Sequence, residues 1–377
     1  MYWQKEIIRD SVSLDLNSTY KLDLPETGIL NSLMLYVVGR HQTGNPTGSI
    51  NLWRPRDYID NISVIANGAT VVKSLTARQL AFLTMLDQKV VPPAKWIEYS
   101  QNYNREVYLL NFGRFFGDKE MGLDLSKFDS VELQVKNVMT NTYFQSLTLT
   151  IVANYLREAA GGLVGYMRTE NWRSWTTVAD ETKYLDLPTE HVIRRIALQA
   201  LPDVDSTTKM AKTTFWNLMY DIEANLKTGV LRMYKGGLEK LAFINAFEIG
   251  LIPQTAGYTY HAADKGFEVG VGYPWFATVG ANTKDNAGAA VIPTMSSEEN
   301  TNTQKMETYE ADTTPGWVVN GLAYENCVLL PFDQDPNPYT WLDPEANKVV
   351  QLNIKTRNDS NAAGGTNNVV LDRLVRY

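Results

Sequence analysis

The residue types in this chain that could do chemistry are few and widely spaced. His41, His191 and His261 are its only histidines, and no two lie near each other in sequence. A metal held on a β scaffold needs His, Cys and carboxylate ligands at short, regular spacing, so each histidine reads as a packing or surface residue. The single cysteine, Cys327, lies within the apolar run NCVLLPF and reads as a buried, inert thiol. GVGYPW (270–275) and AAGG (362–365) lack the preceding strand and following helix that a phosphate loop requires. In DQDPNP (333–338), Asp333 and Asp335 could offer oxygens to a calcium ion, but the same residues are typical of a turn between strands. No carboxylate pair is marked for glycoside hydrolysis. The expectation is a protein without a catalytic site, cofactor or metal.

The composition favours a β-rich protein with a real core. Of 377 residues, 44% are hydrophobic and 20% charged, and the long Ala/Glu/Lys-rich stretches of helical proteins are missing. One cysteine excludes an internal disulfide. No apolar run approaches the roughly 18 residues of a membrane-spanning helix, and MYWQKEIIRD carries charges where a signal peptide needs an apolar stretch. The net charge of −7 is uneven. Residues 1–160 carry sixteen basic and sixteen acidic side chains, and residues 161–377 nineteen and twenty-six. The only clustered bases are RPR (54–56) and RR (194–195), which read as solvated surface. Without a basic arm, direct nucleic-acid binding is not expected.

The elements that must position any site come in two copies. YKLDLPETGILNSLMLYV (20–37) aligns with KYLDLPTEHVIRRIALQAL (183–201), placing Leu22 and Leu24 on Leu185 and Leu187 at an offset of 163. DNISVIANGATVVKSLTARQLAFL (60–83) aligns with DIEANLKTGVLRMYKGGLEKLAFI (221–244), with Gly68 on Gly229 and Leu80-Ala81-Phe82 on Leu241-Ala242-Phe243 at an offset of 161. Each segment reads as a hairpin with a turn glycine, followed by a short amphipathic helix. Later matches, Val131/Leu133/Val135 with Val350/Leu352/Ile354, sit at an offset of about 220. Four matches in one order indicate an internal duplication.

Each copy predicts about eight strands and one helix. In the first these lie near 5–16, 29–39, 58–66, 69–74, 96–101, 106–112, 130–137 and 146–155, with a helix near 76–86. In the second they lie near 171–178, 191–201, 214–226, 229–235, 316–323, 326–331, 348–355 and 367–376. Eight antiparallel strands with long connections suggest a jelly roll. The predicted fold is therefore all-β: two tandem eight-stranded antiparallel barrels, residues 1–157 and 171–377, joined by a linker at 158–170. The growth of the offset places an insertion at about 250–315. It is acidic, with aromatics Tyr258, Tyr260, Tyr273, Trp275 and Phe276 as a candidate interface, and it is expected to project into solvent.

This architecture, with a helix after a mid-barrel hairpin in each copy and one longer loop, resembles the double jelly-roll major capsid proteins of icosahedral viruses. The resemblance covers essentially the whole chain and is architectural. It implies two barrels side by side per subunit, and a homotrimer forming a pseudo-hexagonal capsomer that tiles the shell. It also implies a place in the virion after synthesis in the host cytoplasm, and contacts with vertex and minor capsid proteins or an internal membrane. The insertion would then be an outward tower or a clasp within the trimer. Two other readings share the architecture. A glycan-processing enzyme would place carboxylates between the barrels, and a tandem carbohydrate-binding protein would use Tyr273 to Phe276 as a stacking platform.

Overall fold

The computed structural model describes residues 2–43, 54–98, 101–140, 144–157, 162–203, 211–226, 231–250, 252–259, 274–279, 294–298, 301–307, 316–347 and 350–377. Alternating apolar and polar residues form the strands of the first half: β1 (Tyr2–Leu14), β2 (Thr19–Asp23), β3 (Ile29–His41), β4 (Ile59–Ala66) and β5 (Thr70–Leu75). After helix α1 (Ala77–Gln88) come the short β6 (Ala94–Lys95) and β7 (Ile97–Glu98), then β8 (Tyr103–Asn111), β9 (Leu123–Asp124), β10 (Val131–Asn137) and β11 (Phe144–Arg157). One sheet has the order β1-β11-β3-β8, with β6 beyond β8 and β9 on β3; β2-β10-β4-β5 run side by side in another. First strand beside last, second beside next to last, is the order of a jelly roll. Leu33, Leu35 and Ile151 of one sheet share a buried core with Ile62, Val64 and Leu133 of the other.

The second half repeats this order. Its elements are β12 (Gly165–Thr176), β13 (Thr182–Asp186), β14 (Val192–Leu201), the single-turn α2 (Phe215–Leu218), β15 (Asp221–Leu226), β16 (Leu231–Gly236) and helix α3 (Leu238–Ile249). Four insertion strands follow, β17 (Gln254–Thr259), β18 (Pro274–Val279), β19 (Thr294–Glu298) and β20 (Thr301–Glu307). Then come β21 (Gly316–Gly321), β22 (Cys327–Pro331), β23 (Val350–Lys355) and β24 (Thr366–Arg376). The sheet orders are β12-β24-β14-β22 and β13-β23-β15-β16, with Ile196, Leu198, Ile222, Leu352 and Leu371 between them.

Matched residues hold matched places. Leu22 pairs with Leu133, and Leu185 with Leu352. Helices α1 and α3 are each 12 residues long and begin and end 161 positions apart. Each is pinned to the same strand of its own half: Leu109 donates its N–H to Thr84 Oγ1 (3.1 Å), and Leu329 donates to Asn245 Oδ1 (2.6 Å). The halves are joined by a short parallel pairing of β5 with β12, Lys73 beside Thr169, which makes one sheet of eight strands across both.

Several expected elements differ. Strands β2 and β13, each five residues long, complete the two halves, whereas the segments predicted as strands at 96–101 and 316–323 do not. The first is broken into β6 and β7 around Trp96, and β21 belongs to the insertion's own sheet, β18-β21-β17-β7. The long strand expected at 214–226 begins as α2, because Asn217 donates its side-chain amide back to Thr213 Oγ1 (2.7 Å) and closes a turn. Residues 165–170 of the expected linker are the start of β12, where Gly165 lies against β24 so closely that a Cβ would meet the Val375 carbonyl oxygen at 2.0 Å. The insertion is tied back to the first half: β17 pairs in parallel with β7, Tyr258 beside Ile97.

Candidate functional site

Between the halves lie two clusters of buried charge, built from the two basic pairs that the sequence placed on the surface. That expectation is wrong for both: Arg54 is 0% and Arg56 1% exposed, and Arg194 and Arg195 are also buried. Pro55 starts a single 3-10 turn, Pro55–Asp57, after β3, which turns both guanidiniums inward. Arg54 Nη1 donates to Glu325 Oε1 (2.8 Å) and its Nη2 to Asp57 Oδ1 (2.9 Å). Arg56 donates to Glu106 Oε1 (3.1 Å), to Glu325 Oε1 (2.9 Å) and to the Tyr324 hydroxyl (2.7 Å). Arg78, on α1, completes the set through Asp57 (2.8 Å). Trp96 and Tyr108 both donate to Glu106, and the Arg56 guanidinium sits 4.8 Å from the centre of the Trp96 ring.

Three guanidiniums and three carboxylates balance. Burial alone would push the Asp57 carboxyl up, but Arg54 and Arg78 outweigh it and hold it below the usual carboxylate range. For Glu106 burial wins, and its carboxyl is raised despite Arg56 and Arg54. Tyr324 and Glu325 belong to the second half and all the other members to the first.

The second cluster faces α1 from β14 and β24. Arg195 bridges Asp87 at the end of α1 (2.7 Å) and Asp372 of β24 (2.8 Å). Arg194 bonds Asp333 (2.6 Å). Lys73 donates to Thr169 Oγ1 (2.6 Å), whose hydroxyl donates to Asp372 (2.6 Å). Burial lowers the Lys73 pKa to about 8, although Asp372 and Asp87 oppose it. Burial pushes Asp372 up, but Arg195, Arg194 and Lys73 prevail and hold it down. Three cations again meet three carboxylates. Such networks favour one docking geometry, because any other leaves charges buried without partners. They lock the two halves together.

Among the described residues, His41, Asp333 and Asp335 have structural partners and Cys327 is buried. His41 is buried, stacked on Phe144 (4.6 Å between centroids) with its Nε2 3.0 Å from the Asn104 amide nitrogen. At His191 partial burial, then Arg373 and Arg168, push the imidazole pKa down. His261 lies outside the described residues. The Cys327 thiol is buried and its pKa is driven up by that burial. Asp333 serves Arg194, and Asp335 caps a turn by accepting from the Asn337 N–H (2.9 Å). Among the described residues no group of three potential metal ligands is found. Of the predicted interface aromatics, Tyr258 lies in β17 and Trp275 and Phe276 in β18; the two strands flank β21. Tyr260 and Tyr273 fall outside the described residues.

The site that sequence reasoning missed is thus the seam between the halves. No local signal marks it, because Glu325 is 271 residues from Arg54 and Asp372 is 177 from Arg195.

No family model matches the chain, and no curated protein does. Solved structures do match over its full length. The major capsid protein of Sulfolobus turreted icosahedral virus is 9% identical, with 100% of this chain and 98% of that chain covered at a TM-score of 0.64. A capsid chain of PBCV-1 is 8% identical over 99% of this chain and 93% of that chain, with a TM-score of 0.56. The major capsid protein P2 from bacteriophage PM2 is 9% identical over 100% and 98%, with a TM-score of 0.52. The chain has the fold of double jelly-roll major capsid proteins.

Proposed function

We propose that this chain is the major capsid protein of an icosahedral virus. Each subunit supplies two eight-stranded barrels, the first spanning Tyr2–Arg157 and the second Gly165–Tyr377, and three subunits form a pseudo-hexameric homotrimer that tiles the shell. The observation that carries this reading is the whole-length match of the duplicated fold to capsid proteins, in a molecule whose buried charges join the halves. Duplication suits the task, since two halves with one fold but different surfaces can make non-identical contacts around a ring. The insertion aromatics Tyr258, Tyr260, Tyr273, Trp275 and Phe276 belong, in this reading, to contacts between copies.

Light scattering on the purified protein, followed by electron microscopy, tests the proposal. A particle near three times 42.5 kDa, and shells or hexagonal arrays at higher concentration, are expected. A strict monomer at every concentration would overturn it.

A further inference from the structure

Positions 82, 83 and 86 of α1 are Phe82, Leu83 and Leu86, with 3%, 5% and 4% of their surface exposed. The positions 161 residues later on α3 are Phe243, Ile244 and Phe247, and these are 41%, 42% and 89% exposed. The helices sit identically on their own halves, so the difference comes from what lies on the far side. For α1 that is the outer face of the second half's sheet. Phe82, Leu83 and Leu86 share one core with Ala197, Cys327, Leu329 and Val370.

The strand registers identify the matching face on the first half. Ala197 pairs with Leu329 and Val370, as Met34 pairs with Leu109 and Val152. Gln199 pairs with Cys327 as Tyr36 pairs with Val107. On the second half this face is buried; on the first half Met34, Tyr36, Val107 and Val152 are only half-buried. One molecule therefore carries one used copy of a two-sided joint and, among the described residues, a second copy of each side that leaves Ile244 and Phe247, and Met34, Tyr36, Val107 and Val152, accessible.

We propose that α3 docks through Ile244 and Phe247 onto the strip Met34, Tyr36, Val107 and Val152 of a second copy of this chain, repeating between molecules the joint that α1 makes within one. The contact is head-to-tail, so it leaves one free face at each end and closes only as a ring. It rests on the capsomer reading for the size of that ring, but it names the faces independently. The joint between molecules is more apolar than the one within. The positions of Asp87 and its partner Arg195 are taken by Glu248 and Ser32, which cannot form the buried pair.

Two variants of the full chain test this, Phe247→Glu at an exposed position and Val152→Glu on the opposite face. Circular dichroism checks their fold and light scattering their mass. Each variant is expected to fold and to run at 42.5 kDa, with association weakened at least about 100-fold by a charge placed at an apolar anchor. Mixed together, they should form a 1:1 dimer and nothing larger, because each retains the face that the other has lost. Should Val152→Glu fail to fold, Phe247→Glu alone decides the matter. If the wild type is a trimer and folded Phe247→Glu remains one, the docking face is wrong and the capsomer reading survives. If the wild type is a monomer throughout, both fall.

Discussion

The helices α1 and α3 hold the same 12 positions on the same fold, yet they have opposite environments. Helix α1 is wedged between its own strand β8 and the second half, and nine of its side chains are buried; α3 buries four. The polar residues around the two follow suit. Arg78 and Asp87 of α1 belong to the two buried ion clusters, whereas the matching Glu239 and Glu248 of α3 both lie at exposed positions. One copy of the surface is thus an internal joint fixed by charge, while the matching Ile244 and Phe247 of α3 are exposed. A joint formed once during folding tolerates buried ions, because their partners arrive on the same chain. A joint formed by association is better made apolar, since desolvating ions at each encounter is costly.

The largest effect should come from breaking the internal joint at its most shared member. Glu325 is fully buried and accepts from both Arg54 and Arg56. Glu325→Ala leaves two buried guanidiniums short of a partner, and a loss of about 3–5 kcal/mol is expected in denaturant unfolding. A change within about 0.5 kcal/mol would mean that the cluster is hydrated and does not join the halves.

Next in size is a direct test of the two environments. Leu86→Ala removes a core side chain and should cost about 2–5 kcal/mol. Phe247→Ala, at the repeat-equivalent position, should change the unfolding energy of the dilute monomer by less than about 0.5 kcal/mol, although it removes the larger side chain. Equal costs would show that α3 is already covered within one molecule.

What could be read from the sequence was local. The triplets at Leu80 and Leu241 found both helices at their true offset, because a helix face is written within a few turns. The pairing faces of β10 and β23 were equally plain from simple alternation. Strands β2 and β13 were recognised as a repeated motif but not counted as strands, because five residues ending near a proline offer little periodicity. The seam was hidden for a different reason. An arginine on the surface and one in an ion cluster look alike until partners hundreds of residues away are brought beside them. In RPRD, only the proline hints that the turn holds its guanidiniums in one direction.

The smallest expected effect concerns how each helix begins. Thr76 caps α1, accepting from the Gln79 N–H (3.2 Å) while Gln79 Oε1 accepts from the Thr76 N–H (3.0 Å). Helix α3 starts at Gly237 with no side-chain cap. Thr76→Ala should cost about 1 kcal/mol, read as a lower midpoint of thermal unfolding. The reverse repair, Gly237→Ser, would supply a hydroxyl of the kind that stabilises most helix starts, yet no gain is expected. A Cβ at Gly237 would meet the Tyr220 carbonyl oxygen at 2.7 Å, and backbone cannot move aside as a side chain can. The absent cap on α3 is on this argument a consequence of how closely the Tyr220 carbonyl, two residues beyond α2, approaches Gly237. A rise in midpoint for Gly237→Ser as large as the fall for Thr76→Ala would show instead that the two helix starts are equivalent.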